Sequence, residues 1–218
     1  MRKVFLYLYP IKEYASVFDL GNEYYDSMGY KRPFDVLNDA IEKRYRQKGY
    51  EVIYALYPDK DIYGIIPKDS DKFIITDVTF KEATGYNEDG SKKLKSDIKY
   101  PSEEYLLNQI GNVDKLLVGG YHWSDCVKRV VDKAIDLGID SIIDLDMTDI
   151  FFGIYEDDYF KVDEEYDPNK YKQRLIDRNV AYLKDPMMES IKERFGAKAF
   201  GFDFDEIKKT KWKLCYYG

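Results

Sequence analysis

Residues 116–146 read LLVGGYHWSDCVKRVVDKAIDLGIDSIIDLD, and this stretch decides the fold. An apolar run ends in two glycines, a helical pattern follows over residues 124–137 and stops at Gly138, and a second apolar run closes the segment. Short apolar runs bounded by glycine are typical of buried strands, and a glycine after the last turn ends a helix. The segment therefore predicts a strand, a helix and a second strand, which is the connection between parallel strands.

The first half of the chain repeats this order of elements. Residues 4–9 are apolar and precede a proline, which predicts a first strand. Residues 33–48 carry their apolar side chains on one stripe, which predicts an amphipathic helix, and residues 50–58 predict the next strand. We therefore expect an α/β fold with a doubly wound, mainly parallel sheet and helices on both faces, a three-layer α/β/α, Rossmann-like architecture.

Further elements follow these two units along the chain. Residues 72–80 and 197–204 are apolar enough for strands, and residues 101–110 predict a short helix that Ser102 caps. Residues 82–96 are rich in glycine, asparagine and lysine, which predicts a polar loop that would serve as a lid.

Length and composition predict a single α/β domain. The chain has 218 residues, and no break in composition divides it. We expect one domain over residues 1–218, with the core in residues 1–150 and an extension of helix and strand over residues 151–218.

Charge and residue usage narrow the classes of partner. The net charge is −7 with acids and lysines interspersed, so the chain lacks a basic stripe for nucleic acid. The first apolar run is too short to span a membrane, and two distant cysteines fit a reducing compartment, so we expect a cytoplasmic protein. The 22 tyrosines need hydrogen-bond partners for their hydroxyls, so we expect many of them in a pocket for a small molecule or at an interface. A homo-oligomer stays an open alternative.

Cys126 lies in the first turn of the predicted helix, after the strand that ends at Gly120. In open parallel sheets, ligands bind beyond the carboxyl ends of the strands, where helix N-termini also meet. The N–H groups and the helix dipole favour a thiolate there and would stabilise a developing oxyanion. Two interpretations stay open: Cys126 is a nucleophile, or it is a small apolar residue of the core.

Residues around Cys126 also match a known superfamily. Its nucleophile segment has a glycine after an apolar strand, a Cys-Val pair, an alanine and a glycine in the next helix, and an acid that closes the next strand. These positions are filled, without a gap, by Gly120, Cys126, Val127, Ala134, Gly138 and Asp146. The chain thereby resembles the isochorismatase-like cysteine hydrolases, which include nicotinamidases and N-carbamoyl amidases. The resemblance implies hydrolysis of a small amide or related substrate through a covalent thioester.

The resemblance implies a triad of cysteine, aspartate and lysine, and this chain departs from it. The family's aspartate ends the first strand in the motif Asp-x-Gln-x-acid-aromatic. In YPIKEY, residues 9–14, Glu13 and Tyr14 match the end of that motif, but Tyr9 stands in place of the aspartate. A phenol with a pKa of about 10 cannot take a thiol proton at neutral pH. Other groups near the strand ends would then activate the thiol: Glu13, Asp125 or His122.

Several lysines fit the third position of the triad loosely: Lys92, Lys93, Lys95 and Lys99. We assign Lys99, so that the predicted catalytic residues are Cys126, Glu13 and Lys99. Substrate is expected to contact side chains and backbone at the same strand ends: Tyr9, Gly120, His122, Trp123 and Asp125. The metal site of the nicotinamidases needs two further histidines, and this chain has one histidine, so we expect no metal and no other cofactor.

Two alternatives of other classes stay open. The first is a protein of the same fold that binds a small ligand without catalysis, with the Gly119-Gly120 turn as an anion site. The second is a magnesium-dependent phosphatase, because the pattern Asp-x-Asp-x-Thr over Asp144, Asp146 and Thr148 resembles the first motif of haloacid-dehalogenase-like phosphotransferases. In that case Asp144 is the nucleophile and Asp146 the general acid or base.

Overall fold

The computed structural model describes residues 1–15, 33–121, 123–148 and 213–215. The strands are β1 (Lys3–Leu8), β2 (Glu51–Leu56), β3 (Lys72–Ile75), β4 (Lys115–Gly120), β5 (Asp140–Thr148) and β6 (Lys213–Cys215). The α-helices are α1 (Lys12–Ala15), α2 (Pro33–Ala40), α3 (Phe80–Ala83), α4 (Glu103–Ile110) and α5 (Lys128–Asp136). Helix α2 continues as a π-helical turn, Ile41–Tyr45, and a 3₁₀ turn, Arg46–Lys48, and a second π-helical turn, Trp123–Val127, precedes α5.

The described strands form one parallel sheet in the order β3-β2-β1-β4-β5-β6. From β1 the chain moves outward to β2 and β3, and it then returns to the other side of β1 for β4 and β5. Parallel crossovers are right-handed, so this reversal puts the helices of the two halves on opposite faces of the sheet. The predicted doubly wound α/β fold is confirmed, and the reversal lies between β1 and β4.

The centre of the sheet is covered on both faces. Residues 4–8 of β1 are each 0% exposed, as expected for a parallel strand between two helical layers. On one face the Tyr45 ring, in the π-helical turn after α2, stacks on Phe5 with centroids 3.7 Å apart. Helices α4 and α5, from the second half, are joined by an ion pair between Lys133 and Glu104 at 2.7 Å.

One predicted strand is shorter than its apolar run. The run over residues 72–80 forms a strand only as far as Ile75, and Phe80 begins helix α3 instead. The cause is a capping box, in which Thr79 accepts from the N–H of Glu82 at 3.2 Å and the Glu82 carboxylate accepts from the N–H of Thr79 at 3.0 Å. The helical turn also takes the first residues of the predicted loop.

The C-terminal extension is described only at β6, which pairs with β5. The strand predicted over residues 197–204 lies outside the described residues, as does most of the predicted extension. Within the described ranges, the structure has no helix that combines the length and the apolar character needed to cross a bilayer.

Candidate functional site

The carboxyl ends of β1 and β4 meet in close contact. Leu8 pairs with Gly120, and the N–H of Tyr121 donates to the Leu8 carbonyl at 3.0 Å. Gly120 has φ +107, and a Cβ there would lie 2.2 Å from the Leu8 carbonyl oxygen. Only glycine fits this backbone without a clash. The turn that leads to Cys126 is therefore held tightly against the end of β1.

Tyr9 follows β1 with an unusual backbone. Its φ is +53, a left-handed conformation that bulky residues seldom adopt. Its N–H still donates to the Ala55 carbonyl at 2.9 Å, so the residue continues the hydrogen bonds between β1 and β2 before the chain turns. The side chain is 1% exposed, and its ring stacks on Tyr57 with centroids 4.8 Å apart. The conformation thus puts a phenol at the point where the sheet reverses its strand order.

A group of aromatic side chains contacts Tyr9 through the Tyr57 ring. This tyrosine cluster consists of Tyr9, Tyr14, Tyr57 and Tyr121, with Phe80 beside them. Tyr14 stacks on Tyr121 with centroids 5.7 Å apart, and its hydroxyl lies 3.4 Å from that of Tyr57.

Cys126 lies beside the tyrosine cluster. It is half-buried, it carries a thiol rather than a disulfide sulfur, and it belongs to the π-helical turn before α5. Burial raises the pKa of Tyr9, Tyr14 and Tyr57 above the ordinary value, and ionised Cys126 raises each pKa further. Sequence reasoning placed Tyr9 and Cys126 at the same strand ends, and the pairing of Leu8 with Gly120 puts the segments that carry them at the same end of the sheet.

The carboxylates that face the cluster are held in ion pairs. Arg129 binds Glu103 of α4, and its guanidinium lies 3.7 Å from Asp125. Glu13 binds Lys60, whose ammonium lies 4.7 Å from the centre of the Phe80 ring. The role of Glu13 in catalysis stays a prediction.

Lys60 is a functional candidate that sequence reasoning missed. It lies in the loop after β2, and its position after Pro58 at the end of a strand was the available signal. The assigned Lys99 instead binds Glu82 at 2.8 Å, and its side chain is 66% exposed. Its role in catalysis stays a prediction. Gly120 ends β4 and Asp125 lies in the same π-helical turn as Cys126, whereas His122 and the side chain of Trp123 lie outside the described residues.

The phosphatase alternative fails on the burial of its nucleophile. Asp144 is 0% exposed within β5. The Tyr45 hydroxyl donates to its carboxylate, and Arg44 lies 3.9 Å from the same oxygen. A phosphate ester cannot reach this carboxylate for attack. The prediction of Asp144 as an aspartyl nucleophile is therefore wrong, and the side chain of its proposed partner Asp146 is outside the described residues.

Two further observations bear on ligand sites. Among the residues that the structure describes, no group of three or more His, Cys, Asp or Glu side chains could hold a metal ion. A cleft of about 480 Å³ opens at the amino ends of β4 and β5. Cys126 follows the carboxyl end of β4, so the cleft lies at the opposite end of the strands. Residues at the ends of α4 and α5 line it, including Leu107, Gly111, Leu137 and Ile139.

The raised pKa values of the cluster predict an alkaline transition. The folded state favours the neutral phenols of Tyr9, Tyr14 and Tyr57, so their contribution to stability is complete below the ordinary pKa of 10.0 and is lost as pH rises above it. We expect part of the phenolate absorbance to form late and together with the loss of near-ultraviolet circular dichroism. Tyr14→Phe should shrink that late step by one phenol. Complete ionisation before any loss of tertiary signal would contradict this prediction.

The comparisons with known proteins return solved structures only. No family model matches the chain, and no curated protein matches it. The chain is similar to an isochorismatase family protein from Desulfovibrio vulgaris, with 16% identity, 68% of this chain and 82% of that chain covered, and a TM-score of 0.41. It is also similar to N-carbamoylsarcosine amidase from Thermoplasma acidophilum, with 14% identity, coverages of 72% and 87%, and a TM-score of 0.41. An isochorismatase from Pseudomonas putida is similar as well, with 16% identity, 67% of this chain and 70% of that chain covered, and a TM-score of 0.40.

Proposed function

We propose that the crevice between the carboxyl ends of β1 and β4 binds a small carbonyl compound, an amide or a related substrate, and that Cys126 attacks it. The observation that carries this proposal is that the buried Tyr9 phenol and the half-buried Cys126 thiol follow β1 and β4, whose carboxyl ends pair directly through Leu8 and Gly120. The site lies where the strand order of the sheet reverses, which is where open α/β sheets bind ligands.

In the proposed hydrolysis, Cys126 is the nucleophile and Tyr9 stabilises the oxyanion. The Cys126 thiol loses its proton to solvent, and its sulfur bonds to the carbonyl carbon. The bond from that carbon to the leaving group breaks, and the leaving group takes the electron pair and a proton from solvent. Water then adds to the thioester, the carbon–sulfur bond breaks, and the carboxylic acid and the thiol are released. Tyr9 donates its hydroxyl hydrogen to the carbonyl oxygen as negative charge develops there. Because burial raises the pKa of Tyr9, the phenol stays protonated and acts as a donor, not as the base that the resemblance would require.

Acylation of the chain with phenyl acetate, followed by intact-mass and peptide mass spectrometry, tests this function. We expect an acetyl group on Cys126 and none on Cys215. Tyr9→Phe keeps the ring stack but removes the donor, so it should slow acylation by ~100-fold. Tyr50→Phe is the matched control, since that buried tyrosine lies at the amino end of β2. Equal and slow labelling of both cysteines would contradict the assignment of Cys126 as the nucleophile.

A second function, ligand binding without turnover, is favoured by one observation. Tyr9 stands where the resemblance puts the family's aspartate, and burial raises the pKa of its phenol, so this residue cannot take the thiol proton at neutral pH. Tyr9→Asp separates the two functions, because it supplies a carboxylate where the resemblance puts the family's base. Faster alkylation of Cys126 by iodoacetamide in this variant would mark a site that lost its base, whereas an unchanged rate would argue against the alignment of Tyr9.

A further inference from the structure

We infer that the outer edge of β3 is a docking site for an extended peptide segment with apolar residues at its centre and lysine or arginine at both ends. The peptide adds a strand to the sheet beside β3. This site lies apart from Cys126 and does not depend on the proposed function. The backbone groups, the side chains and the charges along this edge each support it.

Strand β3 pairs with β2 on one side and is the last strand of the described sheet on the other. The N–H of Thr76 donates to the Leu56 carbonyl of β2 at 2.9 Å. Because successive residues of a strand point their backbone groups to alternate sides, the N–H and carbonyl of Ile75 point away from β2, and so do those of Phe73. Outward backbone groups of this kind are a template for a further strand.

A glutamine side chain already takes the place of a neighbouring strand at one point of this edge. The Ile75 N–H donates to Oε1 of Gln109 at 3.3 Å, and Nε2 of Gln109 donates to the Ile75 carbonyl at 2.8 Å. A residue of an antiparallel strand offers the same acceptor and donor to the residue opposite it. Gln109 lies on the exposed side of α4, so its side chain can turn away and leave both bonds to a peptide.

The side chains on one face of this edge are apolar and exposed. Phe73 is 45% exposed and Ile75 is 39% exposed, and the alternation of a strand puts both on the same face of the sheet. Phe73 packs on the Tyr54 ring of β2 with centroids 5.5 Å apart, so the face continues into the core. Edge strands usually carry charged residues or proline, which prevent pairing. Apolar peptide residues opposite Phe73 and Ile75 would cover this face.

Carboxylates at both ends of the apolar centre select the partner. Asp69 is exposed in the turn before β3, and Asp77 is exposed two residues after its end. Antiparallel pairing of Phe73 with Phe73 of a second copy of the chain would bring Asp69 of one copy near Asp77 of the other at both ends, where like charges repel. Lysine or arginine at both ends of a peptide would meet opposite charges instead. The charges therefore favour a basic-ended peptide over a second copy.

The test uses two synthetic peptides that differ only at their ends. The basic-ended peptide is Lys-Thr-Val-Thr-Val-Thr-Thr-Thr-Lys, and the acidic-ended peptide has glutamate in place of both lysines. Binding of each fluorescein-labelled peptide to the full chain is followed by fluorescence anisotropy. We expect saturable binding of the basic-ended peptide, ~10-fold tighter than that of the acidic-ended one, with the difference shrinking at high salt. Equal binding of both peptides, or no saturable binding of the basic-ended one, would overturn the inference.

Two pairs of variants locate the contact. Phe73→Pro removes the outward N–H at a position where an edge strand tolerates proline, whereas Phe73→Ala keeps it, so the proline variant should bind the basic-ended peptide ~5-fold more weakly than the alanine variant. Gln109→Ala removes the competing side chain and should bind ~5-fold more tightly than the unchanged chain. Asn108→Ala, at the exposed neighbouring position on α4, is its matched control and should bind as the unchanged chain does.

Circular dichroism establishes that each variant is folded before binding is compared. Equal affinities of folded Phe73→Pro and Phe73→Ala, together with no gain in Gln109→Ala, would overturn the inference, because the peptide would not bind through the backbone of β3. Sedimentation velocity of the chain without peptide is the last measurement. A dimer that Phe73→Pro abolishes would overturn the inference by identifying a second copy as the occupant of this edge.

Discussion

Replacing Gly120 with alanine is expected to lower the free energy of unfolding by ~3 kcal/mol or more, because two costs add at this position. The backbone has φ +107, which a side chain makes unfavourable, and the new Cβ would lie 2.2 Å from the carbonyl oxygen and 2.5 Å from the nitrogen of Leu8. Backbone of β1 cannot move aside as a flexible side chain could. Urea denaturation followed by circular dichroism measures the change.

Gly138→Ala is the matched control for that experiment. Gly138 also has positive φ, +79, but a Cβ there would meet nothing within 4 Å. Its expected cost is ~1 kcal/mol, that of the left-handed backbone alone. Equal losses in the two variants would show that conformation, and not contact between the ends of β1 and β4, makes glycine necessary at Gly120.

The architecture could be predicted from the sequence because its signals are local. The apolar runs of β1, β2, β4 and β5 are short and bounded by proline, glycine or charged residues, and the strand predicted for each of these four runs is present. The rule on right-handed crossovers then predicts parallel strands with helices on the faces of the sheet, whereas the order of the strands comes from the structure. The boundary of β3 was wrong because the capping box of Thr79 and Glu82 competes with an apolar run, and hydrophobicity alone does not register that competition.

The candidate site was only partly predictable, for a physical reason. Tyr9 and Cys126 follow adjacent parallel strands, and the carboxyl ends of such strands must lie together, so their proximity could be expected. The lysine could not be assigned, because residues 82–96 lack a periodic pattern that would fix their path. Lys60 and Glu13 meet through a contact between α1 and the loop after β2, which neither segment encodes by itself.

The buried charges at Asp144 give the second large expected effect. Asp144→Asn should lower the free energy of unfolding by ~3 kcal/mol or more, because it removes the charge that offsets the Arg44 guanidinium in the core. Arg44 is 1% exposed and Asp144 0% exposed, so water cannot replace the lost interaction. The Tyr45 hydroxyl, which donates to the same carboxylate, would also lose its charged acceptor. Thermal and urea unfolding measure the loss.

Asp132→Asn is the control that separates burial from charge. Asp132 binds Lys128 at 2.9 Å on the surface of α5, one helical turn away, and an exposed pair of this kind contributes at most ~0.5 kcal/mol. Asp144→Leu combined with Arg44→Met tests the same point in the opposite direction, since replacing both charges by apolar groups should recover much of the stability that Asp144→Asn loses. Failure of the double variant to recover any stability would mean that the carboxylate orders β5 through Tyr45, and not through its charge.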